Sequence, residues 1–331
     1  MKVALFSTKK YDQQFFEIAN VNGKHEISYF EASLNKDTIN LTEGFGAVCV
    51  FVNDSIDKTV IDKLAKNGIK LIALRCAGFN NVDVKAALEN NIKIVRVPAY
   101  SPQAVAEHAV ALILTLNRKT HKAYNRVREN NFSLEHLTGF NLFGKTVGVV
   151  GTGLIGAAFC KIMLGFGCKV IAFDVKPSKE LEALGVSYQN FNDLITTSDI
   201  ISLHCPLNEQ TNHLMNATVF NNMKPKSMLI NTGRGALIDT KAVIDALKKE
   251  QLGYLGIDVY EQEAEIFFRD LSETINKDEV FMRLLSFPNV LITAHQGFFT
   301  NEALTEISNI TLNNISDFEH HKLLVNEVKL V

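Results

Sequence analysis

Three segments of this 331-residue chain end an apolar run on polar residues suited to proton and anion chemistry. Asn231-Thr232-Gly233-Arg234-Gly235 follows Met228–Ile230. Asp258-Val259-Tyr260-Glu261-Gln262-Glu263 follows Gly256-Ile257. His295-Gln296-Gly297 follows Thr293-Ala294. A planar guanidinium at Arg234 can hold a carboxylate through two parallel hydrogen bonds. The imidazole of His295 belongs to the side-chain type that titrates near neutral pH, which suits it to exchange a proton with a carbonyl or alcohol oxygen. A carboxylate on the far ring nitrogen would fix the tautomer, and Glu263 is the choice. Together these groups suit reversible hydride transfer on a 2-keto acid. Each also has a structural use. Glu263 lies in an acidic stretch of the kind that forms a solvated face, a histidine after a strand often caps a loop, and an arginine among glycines often closes an ion pair. Their joint occurrence beside a dinucleotide fingerprint favours the chemical reading.

That fingerprint is Gly151-x-Gly153-x-x-Gly156. It follows the apolar run Val147–Val150 and opens a helical pattern at Leu154 and Ile155. Gly151 permits the tight turn, Gly153 lets the backbone approach a pyrophosphate, and Gly156 lets the helix sit close on the strand. Unpaired N–H groups at the helix start would bind the phosphates. The next strand ends in Asp174, 18 residues after Gly156. An acid there accepts from ribose hydroxyls and repels a 2′-phosphate, so the expected cofactor is NAD. Lys176 follows closely and softens that preference.

The elements that must position these residues alternate between short apolar runs and helical patterns. Strands are expected at Val3–Ser7, Ile27–Phe30, Ala47–Val52, Leu71–Arg75 and near Lys93–Val97. Helices are expected from Tyr11, over Ser55–Asn67 and over Val84–Asn90. A second series of about six strands follows, at Thr146–Val150, Lys169–Phe173, Ile200–His204, Met228–Asn231, Tyr254–Val259 and Val290–Ala294. The fold class is therefore α/β with two doubly wound parallel sheets. Ser101-Pro102 starts a helix, and the pattern then runs without Gly or Pro to about Asn130. Such a helix would be about 40 Å long at 1.5 Å per residue and reads as a spine or a dimer-forming element. The last helix, from about Asn301, has no following strand and is expected to return to the first sheet. The nucleotide domain, 101–298, thus reads as inserted into a flavodoxin-like substrate domain, 1–100 with 299–331.

Composition agrees with a globular enzyme. Hydrophobic residues make up 47% and charged residues 21%, with a net charge of −2. Nucleic-acid binding is disfavoured because a phosphate-binding surface needs a basic excess. The apolar run in MKVALFSTKK is too short for a signal peptide, and no stretch of about 18 apolar residues suggests a membrane span. Five cysteines without metal-ligand spacing read as reduced thiols in a cytoplasm, with no metal expected.

Several segments resemble the D-isomer-specific 2-hydroxyacid dehydrogenases, and among them the fermentative enzymes of bacteria acting on D-lactate. They are LRCAGFNNVD (Leu74–Asp83), VRVPAYSPQAVAEHAVALILTLNR (Val95–Arg118), NFSLEHLTGFNLFGKTVGVVGTGLIG (Asn131–Gly156), DIISLHCPL (Asp199–Leu207), NTGRGALID (Asn231–Asp239), GIDVYE (Gly256–Glu261) and TAHQGFFT (Thr293–Thr300). The resemblance covers nearly the whole chain. It implies that Arg234, Glu263 and His295 are catalytic and that pyruvate and D-lactate are the substrates. It places Cys205, Pro206, Thr232, Gly233 and Asp258 along the cofactor, with capping of a strand-end turn as the other use of Asp258. It also implies that Ala77, Gly78 and Phe79 offer N–H groups to the substrate carboxylate beside Arg234 and that Tyr100 borders the substrate. Arg75 reads as a strand-end ion pair, and Phe298 and Phe299 as walls of a small pocket or as core. Many relatives carry Ser or Ala where this chain has Gly233. The family further implies a homodimer or homotetramer. It includes enzymes for larger 2-keto acids and NAD-sensing corepressors, which are the competing functions.

Overall fold

Short runs rich in Val, Ile, Leu and Ala form the strands of two all-parallel sheets, whose inner strands are buried on both faces as βαβ crossovers require. The computed structural model describes residues 1–329. These divide into two units, one formed by Met1–Ser101 with the chain from Phe299 onward, the other by Pro102–Phe298.

In the first unit, β1 (Lys2–Leu5), β2 (Glu26–Tyr29), β3 (Ala47–Val50), β4 (Leu71–Leu74) and β5 (Lys93–Val95) lie in the order β2-β1-β3-β4-β5. This is the flavodoxin-like arrangement. Helices Lys58–Lys66 and Val84–Glu89 start where Asp57 and Asp83 accept from the N–H groups of Val60 and Ala86, each satisfying a donor the helix leaves open. Helix Asn301–Glu319 packs on β4 and on helix Lys10–Ala19. Its Leu312 and Ile315 enter the same core as Val3, Leu5 and Phe16.

In the second unit, β6 (Thr146–Val150), β7 (Lys169–Phe173), β8 (Ser187–Tyr188), β9 (Ile200–Leu203), β10 (Ser227–Asn231), β11 (Leu252–Ile257) and β12 (Val290–Ile292) lie in the order β12-β11-β10-β9-β6-β7-β8. The sheet has seven strands where six were expected. The extra one, β8, is two residues long and too short to show a period. Alternation along β10 serves two cores: Leu229 faces one cluster, Met228 and Ile230 the other. The order reverses between β6 and β9, so the turns after these strands sit side by side at a switch point, where such sheets bind ligands.

The expected long helix is corrected. Helix Pro102–Arg118 ends at Lys119, whose φ of +52° is left-handed, and a second helix covers Thr120–Arg128. No Gly or Pro marks the break. Returning chain enforces it: Asn117 donates to the Phe140 carbonyl and accepts from its N–H, both at 2.7 Å, and Lys119 Nζ donates to the carbonyls of His136 and Thr138. The first half is no exposed spine. Ala106, Ala109, Leu112, Ile113 and Leu116 are buried in the core with β6 and β10. Among the described residues no helix is long and apolar enough to cross a membrane.

Candidate active site

The glycine turn is built as its spacing requires. Gly151 has a φ of +92°, and a Cβ there would stand 2.5 Å from the Cys205 nitrogen. A Cβ on Gly156 would stand 2.0 Å from the Gly151 carbonyl oxygen. Gly156→Ala would therefore push the helix Leu154–Gly165 off the turn. Overpacking of this kind costs about 1–3 kcal/mol, and we expect NADH affinity to fall by about tenfold or more, read by fluorescence titration. Gly153 differs, because nothing lies within 4 Å of its missing Cβ. It also caps the helix without a side chain, so open space adjoins the first-turn N–H groups of Leu154 and Ile155, which have no partner within the helix.

Asp174, just past β7, ties this turn to its own loop. Its Oδ2 accepts from the N–H and hydroxyl of Thr152, and its Oδ1 accepts from the Lys176 N–H at 2.9 Å. Burial pushes its pKa up, but these hydrogen bonds outweigh burial and hold it below the usual carboxylate range. It therefore carries a negative charge beside the glycine turn. Tyr188 was not foreseen: its hydroxyl donates to Thr152 Oγ1 at 2.9 Å and accepts from the Ser178 N–H. Cys205 lies against Gly151, and burial pushes its thiol up to about 11, so it acts as a small neutral group. Thr232 is buried, and its Oγ1 has no hydrogen-bond partner. An unpaired buried hydroxyl costs stability unless a ligand satisfies it. The open phosphate cradle, the anionic Asp174 and the orphaned Thr232 fit a dinucleotide.

Strands β10, β11 and β12 are neighbours, so their carboxyl ends bring the three catalytic candidates onto one edge. After β10, Asn231 shapes the turn: its Oδ1 accepts from the Gly233 N–H at 3.0 Å and its Nδ2 donates to the Arg234 carbonyl at 2.9 Å. Arg234 Nη1 donates to the Gly233 carbonyl at 2.8 Å. An added Cβ at Gly233 would make only ordinary contacts, none closer than 3.4 Å, so glycine in place of the family's Ser or Ala changes little here. Gly235, by contrast, lies against backbone after β11, with its Cβ position 2.1 Å from the Tyr260 carbonyl carbon.

His295 Nδ1 stands 2.8 Å from Glu263 Oε1, with the two side chains 17% and 22% exposed. Glu263 Oε2 accepts from the Tyr260 N–H at 2.9 Å, which fixes the carboxylate that in turn fixes the ring. The Phe268 ring stacks obliquely on His295 at 5.7 Å between centroids. His295 itself sits at φ +53°, a left-handed conformation, and its N–H donates to the Asp258 carbonyl at 2.7 Å.

Asp258, 1% exposed, spends both carboxylate oxygens inside the protein. Oδ1 accepts from Thr293 Oγ1 and the Gln296 N–H, and Oδ2 from the Gly297 N–H at 2.8 Å. Capping of the turn is thus the use the geometry displays. His108, on helix Pro102–Arg118, completes the cluster: its Nε2 lies 2.9 Å from Thr293 Oγ1 and 3.3 Å from Asp258 Oδ1. Sequence reasoning missed His108 and Thr293. One signal was present, a histidine inside an otherwise apolar helix face, but its partners lie 150 and more residues away.

The candidates on the first unit form their own cluster. Arg96 Nη1 donates to the Ala77 carbonyl at 2.7 Å, its guanidinium lies 5.4 Å from the Phe79 ring centroid, and Cys76 Sγ donates to the Gly78 carbonyl. The loop is thus held by its carbonyls. Tyr100 is half-buried and lies one residue before the unit's first segment ends at Ser101. Arg75 is 2% exposed, 3.3 Å from Asp12 and over the Phe51 ring, a buried ion pair that ties the end of β4 to helix Lys10–Ala19. Phe298 is buried, and Phe299 sets its edge on Tyr11 at 4.7 Å.

The NAD-binding-domain model of the D-isomer specific 2-hydroxyacid dehydrogenases matches residues 110–297. This chain is a D-isomer-specific 2-hydroxyacid dehydrogenase. It is 50% identical over 328 residues to the D-lactate dehydrogenase of Escherichia coli strain K12, covering 99% of this chain and 100% of that one. The apo-structure of the Escherichia coli D-lactate dehydrogenase superposes with a TM-score of 0.91 at 49% identity, over 99% and 100% of the two chains. The D-lactate dehydrogenase with NAD+ from Lactobacillus jensenii superposes with a TM-score of 0.83 at 30% identity, over the full length of both. The dehydrogenase uses NAD, and its two sheets are the Rossmann-like pair of this family.

Proposed function

We propose that this dehydrogenase reduces pyruvate to D-lactate and catalyses the reverse reaction, with Arg234, Glu263 and His295 as its catalytic residues. The contact of His295 Nδ1 with Glu263 Oε1 at 2.8 Å carries the reading. With Nδ1 committed to Glu263, Nε2 is the nitrogen left to exchange a proton with substrate. Bound NADH supplies the hydride. Arg234 binds the substrate carboxylate, and its anchor on the Gly233 carbonyl limits how far the guanidinium swings. His295 Nε2 gives its proton to the carbonyl oxygen and recovers it when lactate is oxidised. Ala77, Gly78, Phe79 and Tyr100 contribute to substrate binding, and Leu154, Ile155, Pro206 and Thr232 line the cofactor. The relatives named D-lactate dehydrogenase at about half identity support the choice of pyruvate. The five free cysteines suit a cytoplasmic enzyme. Exposed Tyr124, Val127, Phe132, Leu134 and Phe143 on the second unit support a homodimer or homotetramer.

The test is NADH consumption with pyruvate, followed by chiral analysis of the product. Rapid turnover to D-lactate is expected. Turnover only with a bulkier 2-keto acid would replace the substrate and keep the chemistry. Tight NADH binding without turnover on any 2-keto acid would favour a sensor.

A further inference from the structure

Asp258 is a buried carboxylate just after β11, and nothing in the proposed chemistry requires it to react. Its place explains its presence. The turn 294–297 that carries His295 is held almost wholly by this one residue: the Asp258 carbonyl accepts from the His295 N–H, and its two carboxylate oxygens accept from the next two N–H groups. Burial pushes its pKa up, while hydrogen bonds from His108 and Thr293 and the Gln296 N–H outweigh burial and hold it below the usual range. An isolated buried carboxylate would protonate and lose acceptor capacity.

Proton counting orients the cluster. The Thr293 hydroxyl has one proton and gives it to Asp258 Oδ1. Its oxygen can then only accept, so the 2.9 Å contact requires that His108 Nε2 carry a hydrogen. That N–H also faces Asp258 Oδ1 at 3.3 Å. The His108 ring fills the space under Gly297, with Cδ2 3.5 Å from the Cβ position there, while Asp258 Oδ2 stands 3.0 Å from it. A rigid helix of the core thus reaches a loop whose His295 has a left-handed backbone, uncommon for a residue with a side chain.

We propose that His108 is a positioning residue for hydride transfer: with Thr293 it fixes the Asp258 carboxylate, and that carboxylate fixes the turn presenting His295. This rests on the assignment of His295 as acid and base. The role is one of orientation, so its loss should appear in kcat more than in binding.

The experiment compares His108→Leu, which keeps bulk without a donor, with His108→Gln, whose amide N–H falls near the position of Nε2. Full-length proteins are assayed for kcat, for KM of pyruvate and NADH, and by NMR of the backbone amides of residues 295–297, with His295→Ala alongside. We expect His108→Leu to lower kcat by about 10–100-fold, within the span known for misplaced catalytic groups. Its KM for NADH should stay within about threefold, and the amides of 295–297 should shift. His108→Gln should recover kcat to within about fivefold of the native enzyme. Equal losses in both variants, or a full kcat with unmoved amides in His108→Leu, would overturn the proposal. Should His295→Ala retain native turnover, the acid–base assignment fails separately, and the amide shifts alone then decide whether His108 holds the turn.

Discussion

Replacing His295 by alanine will lower kcat for pyruvate reduction by about 10²–10⁴-fold, the span for loss of a positioned acid–base group. As each tenfold change is worth about 1.36 kcal/mol, the loss is about 3–5 kcal/mol of barrier. The loop should survive the change, because its anchors are backbone: the N–H groups of His295, Gln296 and Gly297 all bond to Asp258, and none involves the imidazole. NADH affinity should therefore hold, and stopped-flow or steady-state assays will isolate a chemical defect. Glu263→Gln is a milder version of the same cut. The amide keeps an acceptor toward the Tyr260 N–H but removes the anionic partner of Nδ1. A His295→Ala enzyme with native turnover would remove His295 from the mechanism.

Arg234→Lys will lower kcat/KM for pyruvate by about 10²-fold. Truncating one partner of a desolvated charge pair costs about 2–5 kcal/mol, and lysine restores part of that because it keeps the charge. What lysine lacks is the planar fork. In the native protein the Gly233 carbonyl engages Nη1 and Asn231 clamps the backbone on both sides of it; on the proposed reading the remaining guanidinium donors bind the carboxylate. A lysine ammonium bound to the same carbonyl would meet the substrate with a single point charge. Native kinetics in Arg234→Lys, measured across pyruvate concentrations, would show that the carboxylate is held elsewhere.

Much of this was legible in the residues. The turn after β6 was, because Gly151 and Gly156 occupy positions where any Cβ would strike backbone, so the constraint is written at single positions. So was the placing of Arg234, Glu263 and His295 after neighbouring strands, because strand ends can be read from where apolar runs stop. The alternation of strands and helices, and the crossings between the two units, follow from patterns local to each segment.

Contacts distant in sequence decided the rest. The helix break at Lys119 has no local marker, because it is enforced by Asn117 and Lys119 binding chain that returns at 136–140. Strand β8 is too short to carry a period. His108, Thr293 and Asp258 meet only because helix Pro102–Arg118 packs beneath the ends of β11 and β12, and Tyr188 reaches Thr152 from the edge strand. A sequence displays which groups can do chemistry. Which of them are held still to do it depends on packing, and packing brings together residues that share no spacing.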